Sequence, residues 1–475
     1  MSRDAALEIA RAHGSDGRFL HDLAKRVAIP TESQNAARIA DCNRYLVHFA
    51  DDLERLGFDR QIISNEMPGG GPFLIARRIE DPALPTLLVY GHADVVLGME
   101  GEWSANRDPW TISVEGDRIF GRGTADNKGQ HTIAALAIEA VLAVRQRLGY
   151  NLVFLLETSE ETGSAGLYEF CEKYQDELKA DWLIASDGPR LIADRPTLVG
   201  GTRGTYDFDL ICDLRAGGHH SGNWGGLIAN PATILSNAIA SLISEQGHIR
   251  VRGIVPDAMP PAVSQALRAI EIRENPEGPK LDPWWGEPDL TPAERVFGWT
   301  SLEVLAMTAG TPDHPVNAIP PKAWARMQIR YTVDVDPTRF HEAIREFLDR
   351  KGFHRIQMVS STFEYDWGAT RLDPEHPLMK WAVASIHRTT GQVATVLPNA
   401  GGSLPNNCFA DLLGIPTVWV PHSYSGCSQH APDEHLLIPL VAEGLAIMTG
   451  LFWDLGSDDP PPRRGSQDAN REQEG

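Results

Sequence analysis

A histidine and an aspartate follow a short apolar run at residues 87–90, and their spacing could serve metal binding. The run predicts a buried strand, and His92 and Asp94 lie two positions apart just after it, so in extended chain their side chains point the same way. One group could then bind a metal ion while the carboxylate accepts the second imidazole N–H. For this pair alone, a loop-stabilising hydrogen bond is the simpler interpretation.

Carboxylates recur further along the chain where apolar segments end. Asp126 lies in the loop before a helix predicted over 133–144, and an N-cap is its simpler interpretation. Strands predicted at 152–156 and 182–185 lead respectively into Glu160 with Glu161, and into Asp187. Because the ligand crevice of an open α/β sheet lies at the carboxyl ends of its strands, these side chains and His92 are expected to converge.

Together with a late histidine, these residues form a mixed nitrogen and oxygen donor set: His92, Asp126, Glu161, Asp187 and His430. Such a set suits Zn²⁺, Co²⁺ or Mn²⁺. Five ligands are too many for one tetrahedral catalytic ion, but they suffice for two ions about 3.5–4 Å apart if one carboxylate bridges them. Such a pair would activate a shared water, and a further carboxylate must then move the proton. Glu160 is the natural candidate for that base.

Composition narrows the class of protein. A chain of 475 residues is long enough for more than one domain. Its formal net charge of −21 argues against nucleic acid or an anionic membrane as a partner. The five cysteines are scattered and lack a CxxC pair, which fits a reducing compartment. The sequence shows no signal-peptide pattern and predicts no apolar stretch long enough to cross a bilayer, so a cytoplasmic location is expected.

The order of predicted elements indicates an α/β protein with an insertion. The first segment of the catalytic domain is predicted over 1–200, where residues from about 4 to 56 have helical spacing and strands and helices alternate after them. Residues 201–365 then change to strands with one polar face and two helices, around an irregular stretch at 255–300, which predicts an inserted α+β domain. Alternation resumes over 366–455, the second catalytic segment, and 456–475 is predicted to be a disordered tail.

Five segments together resemble one family of dinuclear zinc hydrolases. They are GHAD at 91–94, GTADNKG at 123–129, EETGS at 160–164, SD at 186–187 and QHAPDE at 429–434. The family includes carnosinase-type dipeptidases, glutamate carboxypeptidase, aminoacylase, acetylornithine deacetylase and succinyl-diaminopimelate desuccinylase. Each motif is common, but all five in order are specific. The resemblance implies a zinc-exopeptidase-like catalytic domain, with a mixed sheet flanked by helices, and a ferredoxin-like inserted domain that serves as lid and dimerisation domain.

The resemblance also implies roles for individual residues. His92 and Asp187 would bind one ion, Glu161 and His430 the other, and Asp126 would bridge them, with a cis peptide after it. Asp94 would orient His92, and Glu160 would be the general acid and base. In GHHSG at 218–222, His220 would reach the neighbouring subunit's active site and stabilise the oxyanion there. The doubled histidine leaves His219 as the alternative.

Substrate contacts are implied in the same way. Arg330 lies on the polar face of a strand predicted at 324–335 and resembles the arginine that holds the substrate carboxylate with its planar, charged fork. Taken alone, a surface ion pair is its simpler interpretation. Asn317, Gly402 and Ser403 resemble further substrate contacts. Structural roles are expected for four other histidines: His314, His376, His422 and His435.

Two function hypotheses use this site. The first is a metallopeptidase that cleaves a dipeptide or a C-terminal amino acid, as a homodimer formed through the inserted domain. The second is an amidohydrolase of N-acyl or N-carbamoyl amino acids, with the same metals and a different acyl pocket. A purely binding relative is disfavoured because neither a ligand nor the base is missing, and the resemblance argues against a two-metal phosphoesterase. Two divalent ions are expected, zinc first, with cobalt or manganese as alternatives.

Overall fold

The chain divides into two compact units. The computed structural model describes residues 2–272, 279–360 and 367–464. The first unit comprises Met1–Gly201, Leu372–Leu397 and Pro405–Gly475, and the second comprises Thr202–Arg371 and Pro398–Leu404.

The α-helices, in chain order, are α1 (Arg3–Ser15), α2 (Arg18–Val27), α3 (Ile39–Arg55), α4 (Lys128–Arg145), α5 (Leu167–Lys173), α6 (Ser221–Trp224), α7 (Pro231–Leu242), α8 (Pro261–Arg268), α9 (Pro292–Phe297), α10 (Phe340–Arg350), α11 (Pro377–Thr390) and α12 (Ile438–Leu455). The β-strands are β1 (Asp59–Ile63), β2 (Phe73–Arg78), β3 (Thr86–His92), β4 (Ser113–Glu115), β5 (Arg118–Phe120), β6 (Asn151–Glu157), β7 (Trp182–Ala185), β8 (Pro189–Arg190), β9 (Thr197–Val199), β10 (Gly201–Thr202), β11 (Gly204–Asp213), β12 (His219–His220), β13 (Ser301–Ala309), β14 (Ala318–Ile319), β15 (Lys322–Tyr331), β16 (Ile356–Ser360), β17 (Thr370–Arg371), β18 (Thr395–Leu397), β19 (Thr417–Trp419), β20 (Ser423–Tyr424) and β21 (His435–Leu437).

The first unit is built on an eight-stranded sheet in the order β1-β2-β6-β3-β7-β19-β9-β18. β3 runs parallel to both β6 and β7, whereas β2 is antiparallel to β6 and to β1. The central strands are near-continuous apolar runs, as expected for strands that are buried on both faces. Val89, Phe154 and Ile184 lie in the same buried core as helix residues such as Leu445. The predicted mixed sheet flanked by helices is therefore confirmed.

Helix α12 corrects one expectation. It is apolar and long enough to cross a membrane by length and composition, with a mean hydropathy of 1.4 over 18 residues, although no such stretch is predicted from the sequence. However, 72% of this helix is buried inside the protein, where it packs against α1, α4 and α11. Its apolar surface thus belongs to the core of the first unit.

The second unit contains a four-stranded antiparallel sheet in the order β13-β15-β11-β16. Its main elements follow one another as β11, α7, β13, β15, α10 and β16, the succession of a ferredoxin-like unit. Alternate residues of β15, including Met327 and Ile329, are buried against α7 and α10. The strand predicted at 324–335 ends at Tyr331, and Val333 beyond it is exposed.

Two predictions of irregular structure need correction. The stretch at 255–300 contains α8 and α9, although 273–278 lie outside the described residues. In the predicted tail, residues 456–464 are held by hydrogen bonds. The Trp182 indole donates to the Pro462 carbonyl at 2.9 Å, and Arg464 donates to the Leu413 carbonyl at 2.6 Å. The remainder of that tail, 465–475, lies outside the described residues.

Candidate metal centre

Three adjacent strands of the first unit bring the predicted ligands to one edge of the sheet. β6, β3 and β7 lie side by side and run parallel, so their carboxyl ends meet. His92 is the last residue of β3, Glu160 and Glu161 begin a short 3-10 helix (Glu160–Thr162) after β6, and Asp187 follows β7. Asp126 lies directly before α4, across a cis peptide to Asn127. The cis peptide implied by the family resemblance is therefore present.

The first group of donors consists of His92, Asp126 and Asp187. Their ligand atoms all lie within 4.8 Å of one another. His92 Nε2 is 2.9 Å from Asp126 Oδ1 and 3.7 Å from Asp187 Oδ2. All three residues are buried. One imidazole nitrogen and two carboxylates therefore face a single small volume.

The second group shares Asp126 with the first. Its other members, Glu161 and His430, also have ligand atoms within 4.8 Å of Asp126 and of each other. His430 Nε2 is 3.0 Å from Asp126 Oδ2 and 3.0 Å from Glu161 Oε2. Asp126 thus turns one oxygen toward each group. Glu160 belongs to neither group in the part of the chain that the structure describes.

The protonation of these groups reflects crowding in a buried space. Burial raises the pKa of Glu161 to about 7 and the pKa of Asp187 to about 6, and it raises the pKa of Glu160 well above its usual value. Hydrogen bonds to Asp126 and Glu161 raise the pKa of His430 to about 11. The pKa of Asp126 is lowered, because its contacts with the two imidazoles outweigh burial. The other three carboxylates are thus harder to ionise than usual, and the imidazole of His430 keeps its proton to a higher pH. Bound cations would reverse both effects, because they favour ionised carboxylates and neutral imidazoles.

Unpartnered oxygen atoms provide an independent test of whether cations fit this site. Glu161 Oε1 and Asp187 Oδ2 are buried, and neither has a hydrogen-bond partner among residues 2–272, 279–360 and 367–464. A buried acceptor without a partner costs about 1–3 kcal/mol. Imidazole and carboxylate donors are those that zinc, cobalt and manganese accept. The residues present therefore fit two divalent cations with Asp126 between them.

Asp94 connects the two sides of this centre. His92 Nδ1 is 3.1 Å from the Asp94 backbone carbonyl and 3.4 Å from its carboxylate. The same carboxylate accepts the backbone N–H groups of Glu160 and Glu161, each at 3.1 Å. Asp94 is fully buried. One side chain therefore fixes both the imidazole of His92 and the loop that carries the two glutamates.

Glu434 is a residue that sequence reasoning missed. Its carboxylate accepts the backbone N–H groups of Gly123, Ala125 and Asp126 at 2.9–3.0 Å. It also accepts a hydrogen bond from Arg122 Nη1 at 2.8 Å, and both of these charged side chains are buried. Glu434 therefore holds the turn that presents Asp126.

Gln429 is a second missed residue. Its side-chain amide donates to Asp126 Oδ2, beside His430. Both Gln429 and Glu434 lie in the motif at 429–434. Their place in this motif was the only feature of the sequence that could have indicated a role for them. Asn127, which follows the cis peptide, donates to the Ser186 carbonyl at 2.8 Å, so the loops that carry Asp126 and Asp187 are also tied together.

Arg330 and Ser403 meet in the second unit. Arg330 Nη1 donates to Thr205 Oγ1 and to Ser403 Oγ, both at 2.7 Å, and Nε donates to Gln328 at 3.1 Å. No carboxylate of the described residues forms an ion pair with Arg330, so the surface ion pair does not explain it. Gly402 lies beside Ser403, and a Cβ added at this position would meet no atom within 4 Å.

His220 and Asn317 meet at another place in the second unit. β12, which contains His219 and His220, pairs with β14, and the Asn317 carbonyl accepts the backbone N–H of Ser221 at 2.8 Å. The His220 ring accepts the N–H of Gly222 at 3.1 Å. The His219 ring instead lies 5.7 Å from the Trp224 ring, measured between centroids. His220 and its surroundings are exposed.

The four histidines predicted to be structural lie in neither donor group. His376 caps the N-terminus of α11, and His435 forms a 2.6 Å hydrogen bond with the Tyr424 hydroxyl. His422 is fully buried, and His314 is exposed.

Comparisons with known proteins show the family of this chain. The sequence matches the model of Peptidase family M20/M25/M40 over residues 88–454. It is 33% identical over 465 residues to the Beta-Ala-His dipeptidase of Mus musculus, which covers 92% of each chain. It is 31% identical over 474 residues to the Cys-Gly metallodipeptidase DUG1 of Candida albicans, covering 92% of this chain and 95% of that relative. The solved structure of the dipeptidase Dug1p from Saccharomyces cerevisiae aligns with a TM-score of 0.75 at 21% identity, over 97% of this chain and 99% of that one. The chain belongs to Peptidase family M20/M25/M40.

Proposed function

We propose that this protein is a dinuclear-metal dipeptidase that hydrolyses the amide bond of a dipeptide. The observation that carries the proposal is the pair of donor groups that share Asp126. Two relatives that match over nine-tenths of this chain are named Beta-Ala-His dipeptidase and Cys-Gly metallodipeptidase, which supports a dipeptide as the substrate.

In this proposal, His92 and Asp187 would hold one ion, Glu161 and His430 would hold the other, and Asp126, which belongs to both donor groups, would serve both. Zinc is the proposed ion, with cobalt or manganese as alternatives. When bound, two such ions would polarise the substrate carbonyl and lower the pKa of a shared water.

Glu160 is the proposed general base and acid. It is buried beside the donor groups, and His92 Nε2 lies 4.0 Å from its Oε2. Burial raises its pKa, which favours a carboxylate that takes a proton from water and returns it to the leaving amine near neutral pH. Asp94 orients this residue through the backbone N–H of Glu160, and it orients His92 through the imidazole.

Arg330 is the proposed site for the substrate's terminal carboxylate. Thr205, Ser403 and Gln328 fix its guanidinium, and it has no carboxylate partner among the described residues. A half-buried guanidinium held by neutral groups favours an anionic ligand. Gly402, Ser403 and Asn317 are proposed as further substrate contacts.

The second unit is the proposed lid and dimerisation domain, and a second copy of this chain is its proposed partner. Around His220, the side chains of Leu227 and Val316 are 77% and 74% exposed. The edge strand β13 also exposes Val304, Leu305 and Met307. Exposed apolar patches and open strand edges are characteristic of interfaces. In this dimer, His220 would serve the partner's active site.

The proposed location is the cytoplasm. All five cysteines are free and buried, which suits a reducing compartment.

A hydrolysis screen tests the proposed function. The metal-reconstituted protein should cleave dipeptides such as β-Ala-His or Cys-Gly faster than N-acetyl, N-succinyl or N-carbamoyl amino acids, with Zn²⁺, Co²⁺ or Mn²⁺ added. Elemental analysis should find two ions per chain, and chelation should abolish the activity. Cleavage confined to the N-acyl compounds would select the amidohydrolase instead. A folded, metal-loaded protein that cleaves none of these compounds would exclude both functions.

A further inference from the structure

Two stretches of the second unit are joined along their length, and Arg330 lies at the end of the junction. Residues 202–205 lie beside residues 399–403. The Asn399 side chain donates to the Thr202 carbonyl at 3.3 Å, the Arg203 backbone N–H donates to the Ala400 carbonyl at 3.3 Å, and the Ser403 hydroxyl donates to the Arg203 carbonyl at 2.7 Å. We call this junction the clasp.

Arg203 contributes the only charged side chain to the clasp. Its Nε and Nη2 donate to the Gly401 carbonyl at 3.1 and 2.9 Å, and its Nη1 is 3.3 Å from the Ser301 hydroxyl. The residue is only 8% exposed. Because the guanidinium fork grips one carbonyl with two donors, it fixes the position of the 399–403 stretch more strongly than a single hydrogen bond would.

The clasp ends at the residues that hold Arg330. Ser403 Oγ accepts from Arg330 Nη1 at 2.7 Å and lies 2.9 Å from Thr205 Oγ1, which accepts from the same nitrogen. Arg203 thus fixes Ser403 from one side through Gly401 and through its own carbonyl. The orientation of the Arg330 guanidinium depends on the position of Ser403.

Placing the buried guanidinium of Arg203 near that of Arg330 is electrostatically unfavourable. Burial and, to a smaller extent, the neighbouring charge of Arg330 lower the pKa of Arg203 to about 10. Neither guanidinium has a carboxylate within ion-pair distance in the described part of the chain. Two neighbouring cations without a carboxylate at ion-pair distance favour an anion that binds beside Arg330, the more exposed of the two.

We propose that Arg203 is a positioning residue that holds the clasp, so that Arg330 and Ser403 form a preorganised socket for the terminal carboxylate of the substrate. This inference rests on the proposed function, because it assumes that Arg330 receives that carboxylate. Arg203 acts through Ser403 and Arg330, and does not touch the substrate. It makes a free terminal carboxylate the feature by which substrates are selected.

The test compares a dipeptide with the same dipeptide amidated at its C-terminus, using the full metal-loaded chain. Arg203→Met should lower kcat/KM for the acid on the order of 10- to 100-fold, as expected when a binding group is misplaced. It should weaken inhibition by the product amino acid to the same extent. The rate with the amide should fall far less than the rate with the acid, and the metal content should stay unchanged, whereas a general structural defect would lower both rates alike.

Matched variants separate position from charge. Arg203→Lys keeps the buried cation but loses the fork, so its loss with the acid should lie between wild type and Arg203→Met. Ser301→Ala removes only the 3.3 Å contact to Nη1 and should keep the wild-type preference. In an Arg330→Met background, Arg203→Met should cause no further loss with the acid, because its partner is gone. If Arg203→Met does not fold, Arg203→Lys is judged by the same comparison.

The failures of the two ideas give different results. A wild-type enzyme that does not prefer the acid over the amide would overturn the proposed role of Arg330. A wild-type enzyme with that preference, together with folded Arg203 variants that keep it in full, would overturn the role of Arg203 alone. Additive losses in the double variant would also overturn it.

Discussion

Glu160 and Glu161 are sequence neighbours, but the structure gives them different surroundings. Glu161 lies in a donor group with Asp126 and His430, whereas Glu160 lies in neither group of described residues. Glu160→Gln should therefore keep both ions and lose turnover by about 10²–10⁴-fold, the usual contribution of a general base. Metal analysis and steady-state kinetics on the same preparation check this expectation.

The matched variant is Glu161→Gln. It has the same size and lies one position away, but it removes a ligand, so it should lower metal content as well as activity. A Glu160→Gln protein with wild-type turnover would remove the base assignment. A Glu160→Gln protein that loses an ion would instead make Glu160 a ligand.

The raised pKa values predict how the stability of the metal-free protein depends on pH. Glu161 and Asp187, with folded-state pKa values of about 7 and about 6, and His430, with about 11, hold protons more tightly when folded than when unfolded. Wherever the folded state binds more protons, the free energy of unfolding falls as pH rises. These three groups should therefore lower the melting temperature of metal-free protein as pH rises, against the opposite contributions of buried His131, His422 and Lys128, whose pKa values are lowered by burial. Glu161→Gln should remove part of this fall below about pH 7.

Added Zn²⁺ should reverse this slope, because the ligands must lose their protons to bind it. Melting curves across pH, with and without zinc, provide the measurement. If metal-free wild-type protein and metal-free Glu161→Gln show the same pH dependence below pH 7, the crowded, partly protonated site is contradicted.

At the residue scale, part of the centre could be read from local sequence. His92 and Asp187 follow apolar strands directly, so strand ends and spacing located them. Glu434 could not be located in this way, since it contacts Ala125 across 309 positions of the chain. Arg203 likewise grips Gly401 across 198 positions. A side chain that acts on distant backbone leaves no periodic pattern.

At the scale of elements, one buried ion pair links the loop of His430 to the loop of Asp126. Glu434 and Arg122 are both buried, and Glu434 also caps three backbone N–H groups. Breaking such a pair by removing one partner costs about 3–5 kcal/mol. Glu434→Gln should lower the free energy of unfolding by about this amount and weaken metal binding, as measured by denaturation and by calorimetric zinc titration.

The control is Glu115→Gln, which removes an exposed partner of Arg107. Exposed pairs contribute about 0–1 kcal/mol, so this variant should change neither stability nor zinc affinity measurably. Equal effects of the two substitutions would mean that Glu434 does not hold the Asp126 loop.

Elements with clear apolar runs were predictable, and those with mixed signals were not. β3, β6 and β7 are nearly continuous apolar segments, and they lie where the pattern predicts. β13 was missed, because Glu303, Leu305, Ala306 and Met307 are good helix formers, and pairing with β15 overrides that propensity. The edge position of β13 also leaves most of its side chains exposed, which removes the expected alternation.

At the scale of the whole molecule, the α/β class was predictable because strands and helices alternate through much of the first unit, whereas the mixed sheet was implied by the family resemblance. The point at which the ordered structure ends near the C-terminus was not predictable from composition. Residues 457–464 are polar or proline, but backbone carbonyls such as that of Pro462 are bound by distant side chains. Composition alone therefore overestimated the tail.

The last prediction concerns the proposed dimer, in which two copies of the chain would share their active-site residues. If His220 serves the partner's site, an inactive Glu160→Ala dimer and an inactive His220→Ala dimer should complement each other after subunit exchange. Each mixed dimer would then contain one site with both wild-type residues. Random exchange of equal amounts should thus restore about a quarter of the wild-type activity.

His219→Ala is the matched control for this exchange, since it alters the adjacent ring that lies beside Trp224. With His220 as the acting residue, His219→Ala should keep most of its activity by itself. If His219→Ala is instead inactive by itself and regains activity after exchange with Glu160→Ala, the role passes to His219. No recovery with either variant, when mass spectrometry shows that mixed dimers have formed, would mean that each active site is complete within one chain.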